Sequence, residues 1–190
     1  MSKTSTQICA IDIKRLWYAD AVADDAASFT ASDLAKLLAT GGGAKEIENV
    51  HQDTWTLEES ESSQDSFRNQ LTGAVYRMGR PTMGDIVANF TIGRYDYSTK
   101  VDLMGGTLVT DTEGNVVGWE RARGVVELKC MLIVLTVDNV YCVLPYCNLN
   151  TREASTDKAI GLATKATAME PISANIKPEY WYNADAVKVS

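Results

Sequence analysis

A single imidazole, His51, is present in the chain, so every Ser–His or Cys–His dyad would have to run through it. Nothing around Val50-His51-Gln52-Asp53 resembles a nucleophile elbow, and the residue reads as a surface or strand-edge histidine rather than a base or a pH switch. Cys142 and Cys147 are five apart, not at the C-x2-C spacing of a zinc knuckle, and Cys9 and Cys130 complete no tetrad. With no export signal in sight, the four thiols should stay reduced and serve as small core hydrophobes. Asp111, Glu113 and Asn115 share the opening of a calcium loop, yet Gly114 comes too early and the distal glutamate is missing, so a hairpin turn explains them better. Gly41-Gly42-Gly43-Ala44-Lys45 follows a helical pattern instead of preceding one, the wrong order for a phosphate loop. Asn89-Phe90-Thr91 matches a glycosylation sequon but falls in strand-like sequence. Paired carboxylates alone suffice to hydrolyse sugars, but no pair of acids stands apart from the surface background. The expectation is a non-enzyme with no catalytic residue, no cofactor and no metal.

One charge feature remains, the acidic run Glu58, Glu59, Glu61 and Asp65. A solvated loop is its simplest explanation. Its sign disfavours nucleic acid as a ligand, as does the formal net charge of -7 with a pI near 4.7. A surface of that sign would still suit DNA that must slip past without sticking, because like charges repel. No segment approaches the ~20 apolar residues of a membrane span, and no membrane contact is expected.

The elements that would position these residues are mostly strands. At 190 residues, with 45% hydrophobic and 23% charged side chains, the composition suits one globular domain over 1–190. Residues 8 to 18 alternate loosely through Ile8, Ile11, Ile13, Leu16 and Trp17 as an opening strand. Thr30 and Asp33 form a capping box, Phe29 and Leu34 sit at staple positions, and Leu34, Leu37 and Leu38 recur at helical spacing. Gly41 to Gly43 stop that helix, which should lie on a sheet with Ala35 and Lys36 outward. Thr54 to Glu58 alternates with period two. Ile86, Ala88, Phe90 and Ile92 share a buried face, with Asp85, Asn89 and Thr91 on a wet one.

Further on, Ser98 or Thr99 caps a short helical turn that places Asp102 at the box position and ends at Gly105-Gly106. Leu108–Thr110 and Val116–Trp119 flank a Gly-containing hairpin loop. Leu128 to Val137 meets Val140 to Leu144 across Asp138-Asn139, read as a tight two-residue turn whose residues tolerate positive φ. Pro145 predicts that this second strand ends, or runs on an edge, near there. Gly161 to Met169 and Tyr180 to Val189 close the chain as strands.

Phrases between residues 47 and 106 carry a resemblance. They are Glu48-Asn49-Val50-His51-Gln52-Asp53-Thr54-Trp55-Thr56, the acidic stretch, Asn69-Gln70-Leu71-Thr72-Gly73, Gly84 to Gly93 and Leu103-Met104-Gly105-Gly106. With Met131 to Val137, Asp138-Asn139, Leu144-Pro145 and Ala168-Met169-Glu170-Pro171, this order resembles major tail tube proteins of tailed phages. The resemblance implies a mainly β chain, an antiparallel β-sandwich or barrel-like domain with one flanking α-helix. It implies six copies in a ring and stacked rings forming a conduit for DNA or effectors, in a phage tail or a prophage-derived injection device. Partners would be copies of itself and tail proteins such as tape measure, sheath or tail terminator, without specific nucleic-acid binding. The setting would be a virion tail assembled in a bacterial host cytoplasm.

Residues 54–80 read as a hairpin arm, longer than one core needs, whose acidic tip or strand faces would meet a neighbouring ring or the lumen. A competing reading is a ligand-binding or adhesive β-sandwich that stacks ligands on Trp119, Trp181, Tyr180 and Tyr182.

Overall fold

The computed structural model describes residues 8, 10, 12–124 and 126–189. The elements run β1 (Ile13–Asp20), α1 (Ala31–Leu38), β2 (Lys45–Ile47), β3 (Thr56–Glu59), β4 (Ser66–Arg68), β5 (Val75–Met78), β6 (Ile86–Ile92) and α2 (Tyr97–Met104). There follow β7 (Thr107–Thr110), β8 (Val116–Glu120), β9 (Leu128–Thr136), β10 (Val140–Thr156), β11 (Ala159–Ala168) and β12 (Tyr180–Asn183). The chain is mainly β, and its main antiparallel sheet curls into a half-barrel. Along that sheet the order is β2-β1-β9-β10-β11-β6-β3, with β12 paired to the first part of β10. Two small ladders, β4-β5 and β7-β8, stand off it.

The near-continuous apolar run of β9 follows from burial on both faces, which removes the polar half of a strand's alternation. Cys130, Leu132 and Val134 enter one core with Leu16, Tyr18, Phe90, Ile92, Leu144 and Leu162. Met131, Ile133 and Leu135 point the other way and pack with Trp17, Phe29, Leu34, Tyr141 and Val143. Leu103 of α2 joins the first core, and α1 with Ile176 and Val187 covers the second.

Helix α1 forms as its sequence dictates. The Asp33 amide donates to the Thr30 hydroxyl, and the Thr30 amide donates back to the Asp33 carboxylate at 3.0 Å, while Phe29 and Leu34 are both buried. Ala35, expected outward, is buried instead. It lies only ~100° round the helix from Leu34, at the margin of the apolar stripe, where a methyl fits against the sheet. A second helix of equal length joins the one expected. Asp96 caps α2, two or three residues before the expected Ser98 or Thr99, and its carboxylate accepts from the Thr99 amide at 2.7 Å. A carboxylate takes several donors at once, here the Thr99 amide and the Ser98 and Thr99 hydroxyls, which together hold Asp96 below the usual aspartate range. Asp102 thereby falls inside the helix instead of at a capping box. Gly105 ends it with φ 71.

Five strand readings need correction. The opening strand begins at Ile13, past the exposed Ile8, and Ile11 lies outside the described residues. The β9-β10 turn holds three residues, Val137 to Asn139, of which only Asn139 has positive φ, because the Thr136 hydroxyl takes the Val140 amide and closes a wider loop. Strand β10 does not end at Pro145. It bulges between Leu144 and Cys147 and continues to Thr156, exchanging β12 for β11 as partner, so the missing proline N–H falls where no ladder bond is due. The last strand stops at Asn183, followed by a 3-10 turn over Ala184–Ala186. Thr91, expected wet, is buried, since the Thr54 hydroxyl and the His51 amide both bond its backbone.

Candidate functional site

Among the described residues strand β3 pairs only with β6, and from this sheet border the chain runs out and back as one long ladder. The Ser60 amide bonds Asp85 O at 3.0 Å, Ser63 and Thr82 exchange bonds at 2.8 and 3.0 Å, the Gly79 amide bonds Asp65 O at 2.8 Å, and β4 pairs β5. Gly84 sits where this ladder narrows: a Cβ there would lie 1.7 Å from Ser60 O. The far turn, Asn69 to Gly73, is closed by the Asn69 side chain on the Leu71 amide and by Gly73 at φ 70.

Every residue from Glu58 to Met78 is exposed. Extended backbone puts alternate side chains on opposite faces, and here neither face is covered by the body. Phe67 and Arg77 are cross-strand partners, the guanidinium 5.5 Å from the ring centroid. Arg68 and Val75 pair next to them, and the bulge between the two rungs leaves Tyr76 as the extra residue. Tyr76 is 70% exposed and Leu71, at the end of the arm, 94%.

The acidic run is placed differently from expectation. Glu58 and Glu59 belong to β3, opposite Val87 and Ile86, and Glu61 and Asp65 lie on the outgoing side. The four acids therefore mark the root and shaft of the arm. Its tip is uncharged, and the charges next to it are Arg68 and Arg77. These arginines and the apolar side chains around them were missed in the sequence. Their signal was the absence of any Asp or Glu from Ser66 to Gly84 among residues with too many hydrophobes for a solvated loop.

The remaining candidates are spoken for by the fold. The His51 imidazole lies 3.3 Å from the Asp157 carboxylate, tying the segment before β3 to the β10-β11 turn. Cys130, Cys142 and Cys147 are buried core residues, and Cys9 lies outside the described residues. The Asp111 carboxylate takes the amides of Glu113 and Asn115 at 2.9 Å, closing the β7-β8 hairpin. The Trp119 indole donates to Gly105 O at 2.9 Å and has Lys100 4.5 Å from its ring. Tyr180 and Tyr182 stack at 5.9 Å, and Tyr182 donates to Phe29 O at 3.0 Å, fastening the chain's end to α1. Trp181 is 39% exposed and donates to Glu179.

No protein-family model and no curated protein matches this chain.

Proposed function

We propose that the chain is a structural subunit of a phage-type tail tube, in which six copies close into a ring and rings stack into a hollow conduit for DNA or effectors. One observation carries this reading: an arm exposed on both faces, bearing Phe67, Leu71, Val75, Tyr76 and Met78, projects from a half-barrel whose sheet ends at β2 and β3. Apolar surface left in water costs about 25 cal/mol for each Å², and an open sheet border exposes unpaired N–H and C=O groups. Both are relieved when further copies complete the sheet and cover the arm, and a closed ring leaves no border over.

The aromatic residues lend less support to an adhesive module. Trp119, Tyr180 and Tyr182 are engaged inside the fold by the contacts described above. The test is size. Sedimentation velocity and negative-stain microscopy across a concentration series should find rings and tubes that lengthen with concentration. A monomer at every concentration, with or without preformed seeds, would refute the reading.

A further inference from the structure

The arm is electrically divided along its length. Its outer part, Ser66 to Gly84, contains Arg68, Arg77 and Arg80 and no acid, whereas Thr56 to Asp65 contains Glu58, Glu59, Glu61 and Asp65 and no Lys or Arg. The chain's net -7 thus divides into +3 on the outer arm and -10 everywhere else. Among the described residues none of these seven charged groups enters an ion pair. Arg80 adjoins Asp65, whose carbonyl takes the Gly79 amide, but the outermost charges of the two sets stand apart: from Glu59 to Arg68 is nine residues of extended backbone, roughly 30 Å. That is several times the Debye length of about 8 Å at physiological salt.

We propose that the cationic, apolar outer arm of one copy seats on the acidic arm root of a second copy, so that arms overlap in staggered register around the assembly. This rests on the self-assembly reading and names the contact that would carry it. Strand β3 is a terminal strand of the sheet, so its outer border is open to an extended partner at the place where the acids lie. The opposed charges fix the stagger, because an arm laid root to root or tip to tip puts like charges together. The apolar side chains interleaved with the arginines favour a protein partner over nucleic acid: they need a dry surface, and the rest of the chain repels phosphate.

Two variants test this, one carrying Arg68→Glu, Arg77→Glu and Arg80→Glu, the other Glu58→Arg, Glu59→Arg and Glu61→Arg. All six positions are exposed, so both variants should fold and melt as wild type does. Each alone should need at least a tenfold higher concentration to assemble, and an equimolar mixture should regain wild-type assembly, since each then finds the opposite charge on the other. Assembly of wild type should weaken as salt is raised. If wild type assembles and either variant assembles equally well alone, the contact is overturned while the self-assembly reading stands. A wild type that never assembles overturns both. If wild type retains duplex DNA in a gel shift, the arginine variant releases it and assembly is unchanged, the arginines belong to nucleic acid and the proposal fails.

Discussion

The hydroxyl of Tyr18 donates to the carboxylate of Asp102 at 2.8 Å, joining β1 to α2, and Lys45 of β2 meets the same carboxylate. Burial first and then this hydrogen bond raise the Tyr18 phenol above its ordinary 10.0. A raised phenol pKa means that the folded state holds the neutral form. Its contribution is complete below pH 10 and drains away as pH climbs toward the folded value. The melting temperature should therefore hold across about pH 7 to 8 and decline above about pH 9, where the buried thiols of Cys130, Cys142 and Cys147 and then the Tyr18 phenol lose their contribution. Tyr18→Phe should cost about 1 to 2 kcal/mol at neutral pH, and its alkaline decline should be shallower, though Tyr141, Tyr182 and the buried thiols of Cys130, Cys142 and Cys147, all raised mainly by burial, preserve part of it. An equally steep decline in the variant would refute the assignment.

Burial pushes the Cys130 thiol up to about 12 and raises Cys142 and Cys147 as well. Only the thiolate attacks alkylating reagents, so these three should resist iodoacetamide at pH 8 in the native protein and react once it is unfolded. Peptide mapping reads the outcome at each cysteine. Modification of Cys142 at a rate typical of a free thiol would show that the core opens at β10.

Which parts of the fold were legible in the sequence depends on whether the signal was local. The capping box of Thr30 and Asp33, the buried face of Ile86, Ala88, Phe90 and Ile92 and the Asp111 to Asn115 loop are set by residues a few positions apart, and each forms as read. Pro145 misled because the exemption that lets a proline sit inside β10 is a change of partner strand, β12 giving way to β11, and both partners lie later in the chain. Thr91 misled in the same way, its cover coming from residues 51 and 54. The arm was legible as a hairpin, but the acids were put at its tip because the continued pairing of Ser63 with Thr82 lacks the apolar alternation that announces a strand.

Trp55 and Leu57 mark where the arm enters the body. Trp55 packs 6.4 Å from the Phe90 ring, and both side chains lean on the core shared by β6 and β9. Replacing both with Asp places two carboxylates against apolar side chains, which should cost at least about 3 kcal/mol and unfold or insolubilise the chain. Glu59→Lys with Glu61→Lys, on exposed positions, should leave the melt unchanged and impair assembly. Unimpaired polymerisation of that lysine variant would remove any special role for the acidic run.

Gly106 has φ 94, and a Cβ built on it would lie 2.2 Å from Glu120 O and 2.8 Å from the Trp119 indole nitrogen. Backbone strain and collision act together there. Gly106→Ala should cost at least about 2 kcal/mol and shift the β7-β8 hairpin away from α2, visible as a change in Trp119 fluorescence. A melt within a degree of wild type would mean that the hairpin moves freely.

Lys100 and Glu153 meet at 2.6 Å, with Arg121 3.1 Å from the same carboxylate, and the Lys100 side chain is only 13% exposed beneath Trp119. Lys100 holds Glu153 below its ordinary 4.5. A depressed carboxylate contributes above its unfolded pKa, so this stability is present at neutral pH and is lost as pH falls below about 4.5. Solvent reaches Glu153, so Glu153→Gln should cost less than about 1 kcal/mol. Lys100→Ala should cost more, because it also removes the aliphatic stem packed on Trp119 and leaves Glu153 with Arg121 alone. Melting curves at pH 7 and pH 4 separate the two effects: the glutamine variant should converge on wild type in acid, whereas the alanine variant should stay below it. If both converge, the lysine acts through charge only and its packing on the indole is immaterial.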